Sequence, residues 1–508
     1  MQRNTVAVFV CALTLNQLAA AQQLTLSATE VSSALPPSNS VSHMTNRDST
    51  LLWIGTGKGV AKSFDRGGSW VSYRNAPEFA NSSIFAIALR GDTVWSSTGF
   101  TQDIDDNRSV QTGSGFTLSL DNGMTWTNRG QTLDAPDDSI VNYGINRVNF
   151  LPIVVDEQNV TFDIALSSNS VWAAGWSSGI RRSIDLGQTW QRIVLPNDNM
   201  NSIAPSDTLI SYVVDPRRHN NFLGFSVFVQ NDTTVWAGTA GGVNKSTDGG
   251  SSWTHFSVTN QASPILANWV IAIDGQQIDT TYRVWITNWV TGATGEQFGI
   301  SATDDAGRIW KNYLHGIRAY DFAFKRENVY VATEQGLYRS SDKGLNWISS
   351  GTIIDANSSQ QITSRAVFSV GVIGDTILCG TGDGIARTID NASQPFGFRW
   401  DVLRSYQPLG STNSVYAYPN PFSPDDEIVR IHYGTGGIPR NVTIEIFDFG
   451  MNRVRTVVKN AARGGSSEHD EIWDGRDDSR NQVANGVYFY RVTLDCQNPS
   501  WGKILVLQ

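Results

Sequence analysis

The sequence predicts an all-β protein made of repeated four-stranded units, and its composition and two recurring patterns lead to that prediction. Charged residues are only 17% of the 508 residues, whereas glycine (46) and tryptophan (17) are frequent. This composition is typical of short strands joined by tight turns rather than of amphipathic helices. The first pattern is a strand that opens on Val-Trp or a similar pair, as at Val171-Trp172 and Val235-Trp236. The second is an eight-residue motif, Ser/Thr-x-Asp-x-Gly-x-x-Trp, that recurs further along each unit.

The motif occurs in six full copies and one degraded copy. The full copies span residues 63–70, 119–126, 183–190, 246–253, 303–310 and 340–347. The degraded copy begins at Thr388 and Asp390 and regains a tryptophan at Trp400. The aspartate can accept backbone N–H bonds two residues further on, and the glycine tolerates the positive φ of a tight reversal. We therefore expect the motif to form the turn between the third and fourth strands, with its tryptophan packed against its own or a neighbouring unit.

The order of the strands predicts the architecture of each unit. A hydrophobic strand, a short turn, the Val-Trp strand and a third strand precede each motif, and a fourth strand follows it. Successive full copies begin 37 to 64 residues apart, a spacing that suits one four-stranded blade of a β-propeller. The sequence therefore predicts a seven-bladed β-propeller over residues 22–408.

The motif resembles the Asp-box, or bacterial neuraminidase repeat, of sialidases, xyloglucanase-type glycosidases, sortilin-like receptors and photosystem assembly factors. In those families the Asp-box is structural and lies on the face opposite the active site. The resemblance implies that the motif residues stabilise the fold and take no part in catalysis. These residues are Asp65, Asp121, Asp185, Asp248, Asp305 and Asp342, with Trp70, Trp126, Trp190, Trp253, Trp310 and Trp347.

Residues 409–508 lack the motif and predict a second domain. Their short alternating strands are typical of an immunoglobulin-like sandwich. Four segments resemble the Ig-like domain of flagellar hook-capping proteins and the C-terminal sorting domain of type IX secretion cargo: Tyr418-Pro-Asn-Pro-Phe422, residues 473–477, residues 483–490 and residues 502–507. Asn481 follows Arg480 where that family has glycine more often, and asparagine tolerates the left-handed turn. The resemblance implies that an outer-membrane secretion machinery recognises this domain; a spacer without a trafficking role is the alternative.

Residues 1–21 predict a signal peptide that is removed on export. Arg3 supplies a positive start, residues 6–15 are apolar, and three alanines at 19–21 offer a cleavage site. About ten apolar residues are too few to span a bilayer, so we expect no membrane span in the mature chain. The predicted location is outside, or on the surface of, a Gram-negative bacterium. We expect Cys379 and Cys496 to be packed thiols in different domains rather than a disulfide.

Loop lengths predict which face of the propeller carries function. The motif turns are short, whereas the connections from second to third strands, and from one unit to the next, vary in length. The long ones are residues 99–115, 128–160, 192–222 and 291–297, with residues 274–283 an exception on the opposite face. In a propeller these connections emerge on one face, here called the variable face, and binding sites usually lie on such surfaces.

Two tryptophans on that face are candidates for ligand binding. Trp176 and Trp289 each lie four residues past the tryptophan of a second strand. Two tryptophans at one loop position can form a stacking platform for a sugar or a peptide. The alternative is that they cover the packed rim of an enlarged loop. Trp269 is a third tryptophan outside the repeat positions of the propeller.

Carboxylates on the same loops are further binding candidates, chiefly Asp103, Glu157 and Glu296. The others are Asp105, Asp106, Asp156 and Asp383. A glycosidase needs two carboxylates at a suitable separation, which a sequence does not reveal. The Arg-Ile-Pro segment of sialidases is absent, and residues 103–107 lack the spacing of a calcium loop. We therefore assign no catalytic residue, no metal ligand and no cofactor.

The net charge of −9, without a basic stripe, argues against nucleic acid or anionic membrane as a partner. The resulting interpretation is a secreted or surface-attached, non-catalytic propeller that binds glycan or protein on its variable face. A secreted polysaccharide-degrading glycoside hydrolase is one alternative, and an extracytoplasmic assembly or scaffold factor is another. The fold alone does not decide between them.

Overall fold

A computed structural model describes most of the chain. The described residues are 31–33, 35–47, 50–73, 79, 83–105, 108–358, 361–362, 365–405, 415–425, 428–435, 438–463, 468–495 and 499–507. The predicted signal peptide, Asp106, Cys496 and the predicted domain boundary after residue 408 lie outside them.

Before residue 406, the described part of the chain contains seven sheets that each have four consecutive antiparallel strands. We number these sheets I to VII in chain order. Sheet I contains β2 (Val41–Asn46), β3 (Leu52–Thr56), β4 (Gly59–Ser63) and β5 (Trp70–Ser72). Sheet II contains β6 (Ser83–Arg90), β7 (Thr93–Asp105), β8 (Arg108–Ser119) and β9 (Thr127–Arg129). Sheet III contains β12 (Thr161–Leu166), β13 (Val171–Gly175), β14 (Gly179–Ser183) and β15 (Gln191–Arg192). Sheets IV and V contain β18 (Gly224–Val229), β19 (Val235–Thr239), β20 (Gly242–Ser246) and β21 (Trp253–Phe256); and β22 (Ile273–Ile278), β23 (Thr281–Asn288), β24 (Gly299–Thr303) and β25 (Lys311–Tyr313). Sheets VI and VII contain β26 (Ala319–Lys325), β27 (Asn328–Thr333), β28 (Gly336–Ser340) and β29 (Ile348–Ser349); and β30 (Val367–Ile373), β31 (Thr376–Thr381), β32 (Gly384–Ile389) and β33 (Asp401–Leu403). A short strand, β1 (Val31–Ser33), pairs with β5.

The first strands of the seven sheets form the inner ring, because each contacts the first strand of the next sheet and β30 contacts β2. Sheets VII and I share a core in which Leu378 and Trp70 are buried. The segment before β2 adds polar contacts, since the Asn39 carbonyl accepts from Gly384 N at 2.7 Å and its side chain accepts from Ser405 N at 2.6 Å. The two ends of this part of the chain therefore meet.

The two repeat tryptophans form a pair across each of five sheet-to-sheet boundaries. The second-strand tryptophan of one sheet packs edge-on against the motif tryptophan of the next, with ring centroids 5.9–6.4 Å apart. The pairs are Trp53–Trp126, Trp95–Trp190, Trp172–Trp253, Trp236–Trp310 and Trp285–Trp347. The motif thus contributes to packing between sheets as well as to a turn.

The six full motifs form one hydrogen-bonded turn between the third and fourth strands. The Ser/Thr hydroxyl donates to the aspartate at 2.7–2.9 Å. The aspartate accepts the N–H of the residue four positions on at 2.7–3.0 Å, so the expected spacing of two residues is wrong. Gly250 illustrates the need for glycine, because its φ is +92° and a Cβ would lie 2.4 Å from the buried ring of Trp172.

The degraded seventh copy departs from this turn. Asp390 is buried and bonds to Tyr330 and Arg339 of sheet VI, the arginine at 2.9 Å. Trp400 is also buried, and its ring lies 6.1 Å from that of Phe396.

Four of the predicted loops contain regular structure. Residues 99–115 form a hairpin, because β7 and β8 remain paired to Asp105 and Arg108. Residues 274–283 likewise extend β22 and β23, which are joined by a two-residue turn. Residues 128–222 include a three-stranded sheet of β10 (Ile140–Tyr143), β11 (Asn146–Phe150) and β17 (Val213–Val214), a strand β16 (Ser202–Ile203) beside β21, and a 3₁₀ helix at Asn220–Phe222.

This additional sheet does not stay on the variable face. The Tyr143 hydroxyl donates to the carbonyl of Ser251 in the motif turn of sheet IV at 2.7 Å. Val148 and Phe150 join the core between sheets III and IV. The long connections at 128–160 and 192–222 therefore build the outer rim, and the expectation that they stay on the variable face is wrong for this segment.

The tail has two antiparallel sheets around one core. One contains β34 (Val415–Tyr418), β35 (Val429–Gly434) and β38 (Glu468–Trp473); the other contains β36 (Arg440–Phe447), β37 (Arg453–Arg463), β39 (Gly486–Leu494) and β40 (Ser500–Val506). Residues of both sheets, including Ile431, Trp473 and Tyr490, are buried together. The left-handed residue of the predicted turn is Arg480, with φ 66°, rather than Asn481.

Cys379 is a buried free thiol in β31. Among the described residues, no helix has the length and apolar character needed to cross a bilayer.

Candidate functional site

Six of the seven inner strands carry a β-bulge at the same place, near the end that lies on the variable face. The extra residue is Ser42, Phe85, Phe162, Phe225, Tyr320 or Phe368. A bulge re-aims the side chain of the extra residue and is frequent next to binding sites. Five of the six bulged residues are aromatic, and sheet V, whose first strand has no bulge, lies beside two tryptophans instead.

These aromatic residues contact one another around the mouth of the inner ring. We call Phe85, Phe162, Phe225, Trp269, Trp289, Tyr320 and Phe368 the aromatic collar. Successive ring centroids from Phe85 to Trp269 are 5.4–6.2 Å apart. The rings of Trp289, Tyr320 and Phe368 follow at 5.5 Å each. Trp269 and Trp289 join the two arcs through reciprocal backbone hydrogen bonds of 3.2 and 2.8 Å.

A cleft of about 300 Å³ opens on one arc of the collar. Its aromatic wall is Trp176, Trp269, Phe225 and Phe162, with Val110 and Val160 beside them. The Trp176 ring lies 5.1 Å from Phe225 and 6.2 Å from Trp269.

The rim of the cleft is polar. Gln111 and Gln158 reach it with exposed side chains that make no hydrogen bond within the described part of the chain. Their amides each offer two donors and an acceptor. The cleft therefore combines flat apolar surfaces with groups that can bond to hydroxyls.

The two predicted tryptophans do not form one platform. Trp176 lines the cleft, whereas Trp289 lies on the second arc, where its indole N–H donates to the carbonyl of Ala319 at 2.7 Å. Trp269 connects them, through its ring on one side and its backbone on the other. The two predicted tryptophans are thus one wall residue of the cleft and one member of the collar.

The predicted carboxylates lie in different surroundings. Glu296 accepts from Asn268 N and from the backbone and hydroxyl of Thr291, so both of its oxygens hold the loop together. Glu157 is exposed and pairs through its backbone with Thr112, beside the cleft. Asp103 lies in β7, but its side chain is outside the described residues.

Two other carboxyls named as binding candidates from the sequence are Asp383 and Asp156. Asp383 is paired with Arg404 at 3.0 Å. Asp156 lies two residues before Gln158 of the cleft rim, and one of its oxygens is buried without a hydrogen-bond partner in the described structure. Burial raises the pKa of Asp156, and the neighbouring charge of Glu157 adds to the effect.

A second set of carboxyls faces the inner ring. Asp163 and Asp321 directly follow the bulged residues of β12 and β26, and Asp274 lies in β22. Asp163 accepts from Val227 N of sheet IV at 2.9 Å, and Asp321 accepts from Val370 N of sheet VII at 3.0 Å. Burial raises the pKa of all three carboxyls to about 7. Two of them therefore connect neighbouring inner strands and titrate near neutrality.

Within the described residues, no group of three histidine, cysteine, aspartate or glutamate side chains is close enough to hold a metal ion. The chemistry that the variable face offers there is aromatic stacking, amide hydrogen bonding and charge.

The sequence analysis missed Phe162, Phe225 and most of the collar. A signal was present, because five first strands carry an aromatic residue followed by Ala, Asp or Ser at their start: Phe85-Ala86, Phe162-Asp163, Phe225-Ser226, Tyr320-Asp321 and Phe368-Ser369.

No protein-family model matches the chain, and no curated protein does. Solved structures are similar to it at low sequence identity. A GH74 enzyme from Niastella koreensis has 14% identity and a TM-score of 0.51, over 94% of this chain and 75% of that one. The GH74 xyloglucanase from Xanthomonas campestris has 12% identity and a TM-score of 0.53, over 93% and 75%.

PorZ, a surface component of the type-IX secretion system of Porphyromonas gingivalis, has 14% identity and a TM-score of 0.37. It is matched over 92% of this chain and 66% of that one. With the ring of sheets, the two GH74 likenesses show that the chain is an all-β protein with a β-propeller fold.

Proposed function

We propose that this protein is an exported β-propeller that binds a glycan in the cleft formed by Trp176, Trp269, Phe225 and Phe162. The observation that carries the proposal is the composition of that cleft, an aromatic wall with two free glutamine amides at its rim. Its volume of about 300 Å³ is at the lower end of ligand sites. Aromatic faces that pack against the apolar faces of sugar rings, with amides for the hydroxyls, suit a carbohydrate better than a charged peptide.

The proposal includes the finer architecture. Sheets I to VII are the seven blades of one ring, the motif is a structural Asp-box, and the tail is an Ig-like domain. The shared turn geometry of six motifs and the single core of the two tail sheets support these assignments.

The tail, residues 409–508, is proposed as the signal that a type IX outer-membrane machinery recognises, after the predicted signal peptide 1–21 has directed export. The sequence resemblance of its segments supports this role. Deleting residues 409–508 should keep the protein inside the producing cell, and normal export of the shortened protein would contradict the proposal.

Hydrolysis of the bound glycan is a second candidate, favoured by one observation. Asp156, which has a raised pKa and one oxygen without a partner in the described structure, comes directly before Glu157 and two residues before Gln158 of the cleft. A glycosidase needs one carboxyl that stays protonated and a second that stays ionised. The similar fold of the GH74 enzymes does not decide between binding and hydrolysis.

Native electrophoresis through gels that contain different polysaccharides tests both candidates. We expect retardation of the mature protein by at least one polymer, weakened about tenfold by Trp176→Ala or Trp269→Ala, because each removes a stacking face. Trp501→Ala is the control, since Trp501 is an exposed tryptophan of the tail. Thermal unfolding of each variant separates loss of binding from loss of fold.

The staining pattern distinguishes the outcomes. Retardation without clearing supports binding, whereas a cleared zone that Asp156→Asn abolishes supports hydrolysis. If no polymer of a broad panel retards the protein or is cleared by it, the glycan proposal is wrong. A protein partner then becomes the next hypothesis.

A further inference from the structure

Arg318 occupies an unusual position on the second arc of the aromatic collar. Its guanidinium lies 4.9 Å from the ring centroid of Trp289 and 4.6 Å from that of Phe298. Two such contacts hold a planar cation in place and remove part of its hydration. Arg318 is thereby fixed next to Tyr320, another member of the collar.

This guanidinium has no carboxylate partner. Arg318 forms no ion pair within 4.0 Å in the described part of the chain, and its Nε is buried without a hydrogen-bond partner. Glu334 is an acidic neighbour, and its Oε1 accepts the backbone N–H of Arg318 at 3.2 Å. Burial raises the pKa of Tyr320, and the charge of Arg318 and a hydrogen bond from its side chain lower that pKa in part. The guanidinium therefore has a neutral hydroxyl beside it but no carboxylate.

Several other arginines in enclosed surroundings are paired with a carboxylate. Arg181 meets Asp134 at 2.7 Å, Arg283 meets Asp304 at 2.5 Å, and Arg404 meets Asp383 at 3.0 Å. A partly desolvated guanidinium is costly to leave unpaired, because burial weakens its hydration without a compensating charge. Arg182 also forms no ion pair in the described part of the chain, but it donates to the carbonyl of Gly249 in a motif turn at 3.2 Å. Arg318 lies instead at the mouth of the inner ring, where a ligand can supply an anion.

Arg318 is continuous with the proposed glycan cleft. Trp269 forms one wall of that cleft, and its backbone is bonded to Trp289, on which Arg318 stacks. A chain of sugars that lies on Trp176 and Trp269 and continues along the collar therefore reaches Arg318.

We propose that Arg318 is a carboxylate subsite, and that the glycan bound by this protein is an acidic polysaccharide whose uronic-acid units pair with it. This inference rests on the proposed glycan-binding function and specifies its ligand class. A guanidinium binds a carboxylate through two parallel charge-assisted hydrogen bonds, which is stronger and more selective than a bond to a hydroxyl. The aromatic cleft then holds the sugar ring, and Arg318 selects its charge.

The test compares polymers that differ only in charge. Polygalacturonate and its methyl ester form one pair, alginate and its propylene glycol ester form a second, and neutral xyloglucan is included. We expect the mature protein to be retarded at least about tenfold more strongly by the acidic member of one pair, because a charge-assisted hydrogen bond is about twice as strong as a neutral one. The preference should shrink as salt is raised.

Variants assign that preference to one residue. Arg318→Met keeps a long apolar side chain between the two rings and should remove the preference for the acidic polymer without weakening retention by its ester. Arg318→Lys keeps the charge and should retain part of the preference. Glu334→Gln should strengthen retention by the acidic polymer, because it removes a nearby negative charge. Arg308→Gln, at an exposed position of a motif turn, is the matched control and should change nothing.

The outcomes distinguish failure of the carboxylate subsite from failure of glycan binding. Equal retention by the acidic and esterified polymers, or a preference that survives Arg318→Met, overturns the carboxylate subsite and leaves glycan binding intact. Retention by xyloglucan alone does the same. If none of the polymers retards the protein, both the subsite and the glycan proposal are wrong.

Discussion

The motif turns and the aromatic collar lie at opposite ends of the same sheets, yet they differ in how much they vary. Six motif turns repeat one set of hydrogen bonds within a few tenths of an ångström. The collar combines phenylalanines, a tyrosine and two tryptophans, reached from bulged strands or from loops. Repeated geometry indicates a structural requirement in every blade, whereas variation around a shared position indicates recognition. We therefore assign stability to the motif end and propose binding at the collar end.

The pKa values of carboxyl groups are shifted in opposite directions at the two ends of the sheets. Hydrogen bonds from Thr189 and Ser183 lower the pKa of Asp185 in its motif turn to about 2. Burial raises the pKa of Asp163, Asp274 and Asp321 near the inner ring to about 7. Donors that point at a carboxylate favour its charged form, and burial without enough donors favours its neutral form.

The largest expected effect is the loss of a tryptophan that joins two blades. Trp172→Ala should lower the free energy of unfolding by about 3–5 kcal/mol, because it leaves a cavity beside Trp253 and the motif turn at Gly250. Polysaccharide retention should be unchanged below the melting temperature, since Trp172 lies outside the cleft. Thermal and denaturant unfolding followed by fluorescence measure the first quantity, and gel retardation measures the second.

Trp501→Ala serves again as the control, because Trp501 is 44% exposed and lies in the tail. The assignment of stability to the tryptophan pairs fails if Trp172→Ala unfolds at the same temperature as this control. It also fails if the variant is as stable as the original protein but no longer retained by the polysaccharide.

A smaller effect is expected from pH. A carboxyl whose pKa is about 7 in the folded protein and about 4 in the unfolded chain holds its proton more tightly when folded. Its contribution to stability is therefore present at low pH and lost as pH rises through 7. We expect the melting temperature to fall between pH 6.5 and 8, a window in which the motif carboxyls, with their lowered pKa values, do not titrate.

The window also avoids His43, whose pKa burial lowers to about 4 and whose effect runs in the opposite direction below pH 6.5. Asp321→Asn should flatten the pH dependence, because asparagine does not titrate but keeps an oxygen for Val370 N. A melting temperature that is constant from pH 6.5 to 8, or a slope that Asp321→Asn leaves unchanged, would show that these carboxyls are not held in their neutral form.

Part of the candidate site could be predicted from the sequence, because the signal came from positions within single repeats. Trp176 and Trp289 stood out because they occupy one loop position in two repeats, and both belong to, or contact, the collar. The structural role of Glu296 in holding its loop could not be predicted, because its hydrogen bonds from Asn268 and Thr291 depend on how the loop folds back. Arg318 gave no sequence signal, since an unpaired arginine is defined by what surrounds it.

The sequence by itself determined the repeated unit, its turn chemistry and the all-β class, because these depend on residues within a few positions of one another. Only the tertiary structure decided that Phe162, Phe225, Trp176 and Trp269 share a cleft and that the additional sheet of β10, β11 and β17 lies on the outer rim. Bulges turn side chains away from the alternation of a strand, and ring closure brings distant segments together. Both effects arise from packing between sheets, which a local pattern does not contain.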